Sequence, residues 1–582
     1  MKRLFVYMRR HWRGYAFGIA CTLTTATLAM LIPLLVRDSL NAVQAHRMSD
    51  LTFYAEMLAV VALVNGVVRW FSRFVIFNTG RDIEYELRND LFAQLVRLGP
   101  DFYQRLRTGD LMSRMVNDLT AIRMLVGMGV LTFSNSPAIY LFALIFMLSL
   151  NARLTFASLA PYVILFACIR RLTRSLMERS LRVQEGLGAL GAKVQESLSG
   201  IHVVKAYTIE EHDAGRFRGL NDQYNEQGIA LARVRGALLP MIGVAARCST
   251  MIVLVYGGSL VRSGTISIGD LVAFFGYLGQ LAWPTTSIGW MLSIYQRGKA
   301  AMKRLDEIFN ATPPAGAEIE AAKVEVTGAI EWDHVSFDYF AANGHSPDRA
   351  HYALRDISVK VRAGEKLAIV GRTGSGKSTM VRLLARLIEP TEGRVLLDGR
   401  DIREIPLSAL RRTIGLVPQD PLLFSETLAR NIAFGRPAAT MDEIESAARI
   451  AGLQADLATL PHGFDTVVGE RGMALSGGQK QRVTIARLLA YDPAIVVLDD
   501  ALSSVDTETE KGVLRSLEES VRGRTTIVVA HRASTVRDAD EIIVLDEGRI
   551  AERGTHEELM ALHGIYAELF HRQLLEEELA GY

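Results

Sequence analysis

Six stretches of this 582-residue chain are apolar and long enough to cross a bilayer: roughly 15–36, 53–78, 125–150, 153–170, 236–260 and 268–292. Nothing else constrains the fold as strongly. Inside hydrocarbon every backbone N–H and C=O must be bonded within its own segment, so such runs are expected to be helices. The rival is a packed soluble helical domain. Uncharged runs such as 125–150 argue against it. Hydrophobic residues make up 49% of the chain, charged ones 22%, and the net charge is +2, so nucleic acid is not the expected main partner. Cys21, Cys168 and Cys248 lie far apart in apolar segments and read as small buried hydrophobes, not disulfides or metal ligands.

Residues 1–13 are basic with interleaved Leu, Phe, Val, Tyr and Trp. The apolar run that follows is too long for a secretory signal, so a short interfacial helix before the first span is expected, with the N-terminus in the cytoplasm. The third and fourth spans are separated only by Leu150-Asn151-Ala152-Arg153, a tight outer turn. Loops 37–52 and 261–267 are short and external. The connections 79–124 and 171–235 are long and Arg-rich, and lie inside. Apolar residues recur there at helical spacing, so the spans continue into the cytoplasm as amphipathic helices. Phe102–Asp110 and Tyr207–His212 interrupt these extensions, each a candidate transverse docking helix. Arg247 stands near mid-depth of the fifth span, where a charge is costly, and is the candidate substrate-cavity residue. Its bland alternative is a structural partner, such as a backbone carbonyl or a charge on another chain.

After the break at Ala311-Thr312-Pro313-Pro314 the composition changes. The expected division is a membrane domain over 1–310, a linker over 311–327 and a nucleotide-binding domain over 328–582. Gly371-Arg372-Thr373-Gly374-Ser375-Gly376-Lys377-Ser378-Thr379 fits G-x-x-x-x-G-K-[ST], with an apolar strand before it and an apolar-periodic helix after it. Its glycines let backbone N–H groups curl around phosphate, and the helix N-terminus adds positive potential. Lys377 is placed to reach the β- and γ-phosphates, and Ser378 to hold Mg²⁺. Ile495–Asp499 is an apolar strand ending in a carboxylate suited to Mg²⁺. Asp500 follows, placed to polarise water. Gln419 is a candidate for Mg²⁺ or water, and His531 for a γ-phosphate contact. Tyr339 is the favoured aromatic for stacking on adenine, with Tyr352 its competitor. Leu475-Ser476-Gly477-Gly478-Gln479 opens a second helix suited to anions. One nucleotide does not account for two such helix N-termini in one chain. A head-to-tail dimer does.

At these residues the chain resembles an ATP-binding cassette (ABC) exporter half-transporter along essentially its whole length. The Walker A loop (371–378), Gln419 of the Q-loop, the signature (475–479), Walker B ending at Asp499, the D-loop (503–506) and His531 stand in the family's order, and 468–472 is similar to its X-loop. The resemblance implies an all-α membrane domain of six long helices, as in type IV exporters, followed by an α/β P-loop cassette. It implies ATP and Mg²⁺ as cofactors, a second half-transporter as partner, and export of hydrophobic or amphipathic drugs, lipids or peptides by alternating access. The expected location is the inner membrane of a bacterial cell, with the cassette in the cytoplasm. It also implies that the two interruptions are coupling helices. One departure stands out, because active members carry Glu after the Walker B Asp and this chain carries Asp500. That favours the degenerate half of a heterodimer over a homodimer that tolerates Asp, or over a membrane regulator that senses nucleotide without transport.

Overall fold

A computed structural model describes residues 1–106, 108–314, 316, 326–339, 352–469, 475–502, 507–530 and 536–580. The chain divides into two compact units: Met1–Leu95 with Gly109–Asn310, and Val96–Thr108 with Ala311–Tyr582.

The first unit is helical throughout. A short helix, Lys2–Arg10, precedes long helices at Trp12–Gln44, Met48–Arg97, Thr108–Leu150, Ala152–Ser199, Glu210–Arg262 and Ile268–Phe309. The first five of the long helices are long and apolar enough to span a membrane. The sixth expected span is helical but falls short of that composition, because Asp270, Gln280, Pro284, Thr285 and Thr286 dilute its apolar run. Its apolar face is nevertheless interior: Phe274, Tyr277, Leu278 and Leu281 pack with Met30, Met147, Leu154 and Val253. Polar side chains join helices across this core. Tyr277 donates to the Met30 carbonyl at 3.1 Å and Gln280 to the Ala29 carbonyl at 2.7 Å, bonds that small and polar residues supply where lipid gives no hydrophobic drive.

The tight outer turn is a single residue. Asn151 leaves helical geometry, and its side chain accepts the Leu154 N–H at 3.0 Å, capping the next helix at once. Of the two expected transverse helices, the first is Pro100–Arg105, ended by extended backbone at Leu106. The second is displaced from the expected Tyr207–His212 to Ile201–Ala206. The long helix ends at Gly200, and the chain turns over Tyr207–Ile209 with Thr208 at φ 56° before Glu210 restarts it. Helices Ala152–Ser199 and Glu210–Ile252 run against each other as an arm. Lys193, 6% exposed, pairs with Asp213 between them, and Ser197 donates to the same carboxylate at 2.6 Å. The arm's outer face stays uncovered, with Val163, Ile164, Val244 and Met251 exposed. Cys168 and Cys248 are exposed there too, against the expectation of buried thiols. Periodicity marks an apolar helix but not which of its faces a single chain covers.

Among its described residues the second unit carries ten strands: β1 (Ile330–Asp338), β2 (Tyr352–Val361), β3 (Lys366–Gly371), β4 (Glu392–Leu397), β5 (Arg400–Asp401), β6 (Ile414–Val417), β7 (Ile495–Asp499), β8 (Thr525–Val529), β9 (Glu541–Asp546) and β10 (Arg549–Gly554). Four form an antiparallel sheet, β2-β1-β4-β5, and six form the order β10-β9-β3-β8-β7-β6. In the larger sheet β9, β3, β8, β7 and β6 are parallel. Both of its faces are covered, so its strands read as unbroken apolar runs. Val496 and Leu498 face one core, with Val483, Ile485 and Ala486 of helix Gly477–Tyr491. Ile495 and Val497 face the other, with Trp332, Phe337 and Met380. The alternation along β7 is the two-residue period of a strand.

Candidate nucleotide-binding site

The parallel strands β3, β8, β7 and β6 end on one edge of the sheet, where ligands of open α/β folds bind. The phosphate loop follows β3, Asp499 ends β7, and Gln419 lies two residues beyond β6, exposed. His531 lies outside the described residues, as do 503–506 and the 470–472 portion of the X-loop-like stretch.

Two glycines of the loop are required by contact as well as by conformation. A Cβ on Gly371, at φ 148°, would stand 2.2 Å from the Leu545 carbonyl oxygen. One on Gly376, at φ 105°, would stand 2.6 Å from Leu354 Cδ2 and 2.7 Å from the Ala353 carbonyl. Gly376 then caps helix Lys377–Leu384 in the left-handed region. Lys377 is buried. Its ammonium donates to the carbonyls of Gly371 at 2.8 Å and Arg372 at 2.9 Å, so it curls into the loop that carries it. Burial lowers its pKa, and the nearby charges of Asp499 and Asp500 oppose that shift. The Ser375 hydroxyl is buried with no hydrogen-bond partner among the described residues. A buried cation satisfied only by neutral carbonyls and an orphaned hydroxyl, in a cradle no Cβ can enter, fit a bound phosphate chain.

Ser378 Oγ donates to Asp499 Oδ1 at 3.1 Å. Burial raises the Asp499 pKa, against the hydrogen bond from Ser378 and the charge of Arg382. A hydroxyl and a carboxylate meeting below a phosphate loop are the oxygen donors a Mg²⁺ ion takes. Asp500 is half-buried at φ 50°, its N–H bonded to the Val529 carbonyl at 2.9 Å. Thr373 and Gly374 are exposed, and Thr379 is buried. Tyr339 bonds Thr379 Oγ1 at 3.0 Å and packs edge-on against Phe337, whereas Tyr352 donates to Glu392 at 3.1 Å. The structure therefore ties Tyr339 to the helix that begins at Lys377 and Tyr352 to the antiparallel sheet.

Ser476 caps helix Gly477–Tyr491. Its hydroxyl accepts the Gln479 N–H, and the Gln479 side chain accepts the Ser476 N–H. Ser476 and Gly477 are exposed, while Leu475 and Gly478 are buried. Among the described residues no hydrogen bond links 475–479 to 371–379. Sequence reasoning missed Asp456, whose Oδ1 accepts from Gln479 Nε2 at 3.0 Å and from Arg482 Nη2 at 3.3 Å and so braces the start of this helix. No local motif announces it, because it is 23 residues upstream of Gln479. It also missed Asp398, whose carboxylate gathers the N–H groups of Thr327, Gly328 and Ala329 where the chain enters β1. The Asp398-Gly399 turn before β5 was the available signal. In the other unit, Arg247 is exposed and makes no ion pair or hydrogen bond among the described residues.

Residues 15–285 match the family described as ABC transporter transmembrane region, and 354–503 the family described as ABC transporter. The chain is 36% identical over 587 residues to the probable multidrug resistance ABC transporter ATP-binding/permease protein YheI of Bacillus subtilis, covering 100% of this chain and 99% of that one. It is 32% identical to an ATP-dependent lipid A-core flippase of Syntrophus aciditrophicus, over 99% and 95% of the two chains. A solved bacterial Atm1-family ABC exporter with ATP bound superposes with a TM-score of 0.80 at 30% identity, covering 97% of this chain and 98% of that one. The chain belongs to the ABC transporters, as an exporter in which one membrane region is fused to one ATP-binding cassette.

Proposed function

We propose that this multi-pass ATPase, which couples ATP hydrolysis to export, is one half of a heterodimer and that its own ATP site hydrolyses slowly. The observation that carries this reading is Asp500. Its backbone is held by the Val529 carbonyl, so the chain has little freedom to advance a side chain one methylene shorter than Glu. A general base needs hydrogen-bond reach of about 2.6–3.2 Å to its water. A shortfall of about an ångström costs on the order of 10²-fold. Lys377, Ser375 and the loop N–H groups would hold the phosphates, Ser378 and Asp499 would hold Mg²⁺, which would supply neutralisation of phosphate charge, and Gln419 and His531 are the residues proposed for the γ-phosphate. The intact 475–479 stretch completes a site on the partner's phosphate loop.

Closure of the paired cassettes passes to the membrane region through the two transverse helices. The first, Pro100–Arg105, groups with the cassette unit, where burial raises the Asp101 pKa against the charge of Arg105 and with that of Glu389. The second leaves Val203 and Tyr207 exposed and is read as reaching the other half's cassette. The uncovered outer face of the arm is consistent with a second half packed against it. The substrates are hydrophobic or amphipathic drugs, lipids or peptides, in keeping with relatives named as multidrug transporters and lipid A-core flippases. Arg247 is the residue proposed to meet them in the cavity. The test is purification from the native host followed by ATPase assay. A non-identical half with Glu after its Walker B Asp should co-purify. Asp500→Asn should leave turnover nearly unchanged, and neutralising the partner's Glu should stop it. A homodimer that transports at normal rates and loses activity on Asp500→Asn would sink the reading.

A further inference from the structure

An apolar cavity of about 570 Å³ lies within the helical unit, under the N-terminal helix Lys2–Arg10. Met1, Leu4 and Met8 form its roof, one face of that helix. Val130 and Phe133 of helix Thr108–Leu150 and Tyr295 of helix Ile268–Phe309 form its walls. Its size is that of a site for one small molecule. The expected spans 125–150 and 268–292 would put these wall residues toward the cytoplasmic ends of their helices.

The roof helix carries Lys2, Arg3, Arg9 and Arg10 and no acidic residue. Two of these cations are committed. Arg3 bonds Asn310 and lies over the Phe309 ring, and Arg10 pairs with Glu86. Lys2 and Arg9 are exposed and make no ion pair or hydrogen bond among the described residues. On the same segment Phe5, Val6 and Trp12 are exposed, as expected of a helix lying in the interface. An apolar pocket roofed by a helix that carries two cations without partners among the described residues matches an amphiphile with an apolar chain and an anionic head. The negatively charged cytoplasmic leaflet supplies such molecules in excess.

We propose that this cavity holds one acyl chain of an anionic phospholipid from the cytoplasmic leaflet, with its headgroup at Lys2 and Arg9. The inference rests on the membrane orientation of the exporter and not on Asp500. The lipid would wedge the N-terminal helix against helices Thr108–Leu150 and Ile268–Phe309.

The experiment is photo-crosslinking of the full-length chain, in its native assembly, in phosphatidylcholine vesicles doped with phosphatidylglycerol bearing a diazirine on its acyl chain. A matched phosphatidylcholine probe serves as control. Saturable labelling of the cavity residues is expected, with phosphatidylglycerol preferred roughly tenfold from its two cation contacts. Lys2→Glu with Arg9→Glu should erase the preference. Ser134→Trp, which fills the cavity from its wall, should abolish labelling there and leave the exposed Leu63 and Val67 of helix Met48–Arg97 labelled as before. Equal labelling by the two lipids in the unaltered protein would overturn the proposal, as would labelling that survives Ser134→Trp. Displacement of the probe by a transported drug would assign the cavity to cargo and overturn it too. Loss of the two-half assembly on Ser134→Trp would assign it to the partner. A failure to detect a non-identical half bears only on the heterodimer reading.

Discussion

At the scale of residues, the two ends of the chain's chemistry differ in how they are satisfied. Lys377 is a buried cation whose partners are neutral carbonyls of its own loop, so most of its electrostatic value awaits a phosphate. Lys377→Ala should weaken ATP binding at this chain's own site by roughly tenfold or more. Titration of the full-length protein with a fluorescent ATP analogue reads this directly, and unchanged affinity would refute the phosphate-loop assignment. Arg247 is a cation with no partner among the described residues, on an arm face that also exposes Val244, Cys248, Met251 and Leu254. A charge at that depth is costly against lipid. Arg247→Ala should therefore shift substrate preference, measured as relative uptake of anionic and cationic dyes by inside-out vesicles. Unchanged preference together with unchanged thermal stability would leave it a structural residue. Both residues were legible in the sequence, one from a motif and one from its position in an apolar run. The orphaned Ser375 hydroxyl was legible only as a motif letter, because burial without a partner is a property of the folded loop.

Elements show where local pattern runs out. The strands and the loop-to-helix transition follow from apolar runs and glycines, and β7 ends at the carboxylate the pattern placed there. The second transverse helix does not sit on the motif that suggested it, since the break is made by Gly200 and by the turn at Thr208. The entry to β1 is set from a distance by Asp398. Burial alone would raise its pKa, but hydrogen bonds from Thr327 and from the backbone of Ala329, Thr327 and Gly328 outweigh it and the pKa falls. A lowered acid contributes stability above its unfolded pKa and loses it as pH falls through the folded value. Asp398→Ala should cost about 1 kcal/mol at pH 7, after allowance for its partial exposure. The penalty should fade as pH drops below the ordinary carboxylate range. Thermal unfolding of the full-length protein at pH 7 and at pH 3.5 checks both statements, and an equal penalty at the two pH values would contradict them.

For the whole molecule, the decisive feature is the second helix N-terminus, the one proposed to take a partner's nucleotide. Ser476 and Gly477 are exposed and, among the described residues, bonded only within the start of their own helix, so the proposed use of them requires another phosphate loop. Ser476→Arg should cripple the site built on the partner's loop by about 10²-fold or more, because bulk would stand where a γ-phosphate belongs. ATP binding at this chain's own loop should be retained. Turnover by the assembled transporter and nucleotide occupancy of each site separate the two effects, and normal turnover would rule out a composite site.

The sequence by itself marked the long apolar helices, the glycine-rich loop after β3 and the carboxylate that ends β7. These follow from backbone hydrogen bonding in hydrocarbon, from the φ of glycine and from the two-residue period of strands, all local in range. Tertiary structure decided the rest: that Asp456 braces the signature helix, that Asp398 anchors the start of β1, that Cys168 and Cys248 are exposed, and that an apolar cavity opens beneath the N-terminal helix. Each depends on residues far apart in the chain meeting, or failing to meet, and no local period encodes such a contact.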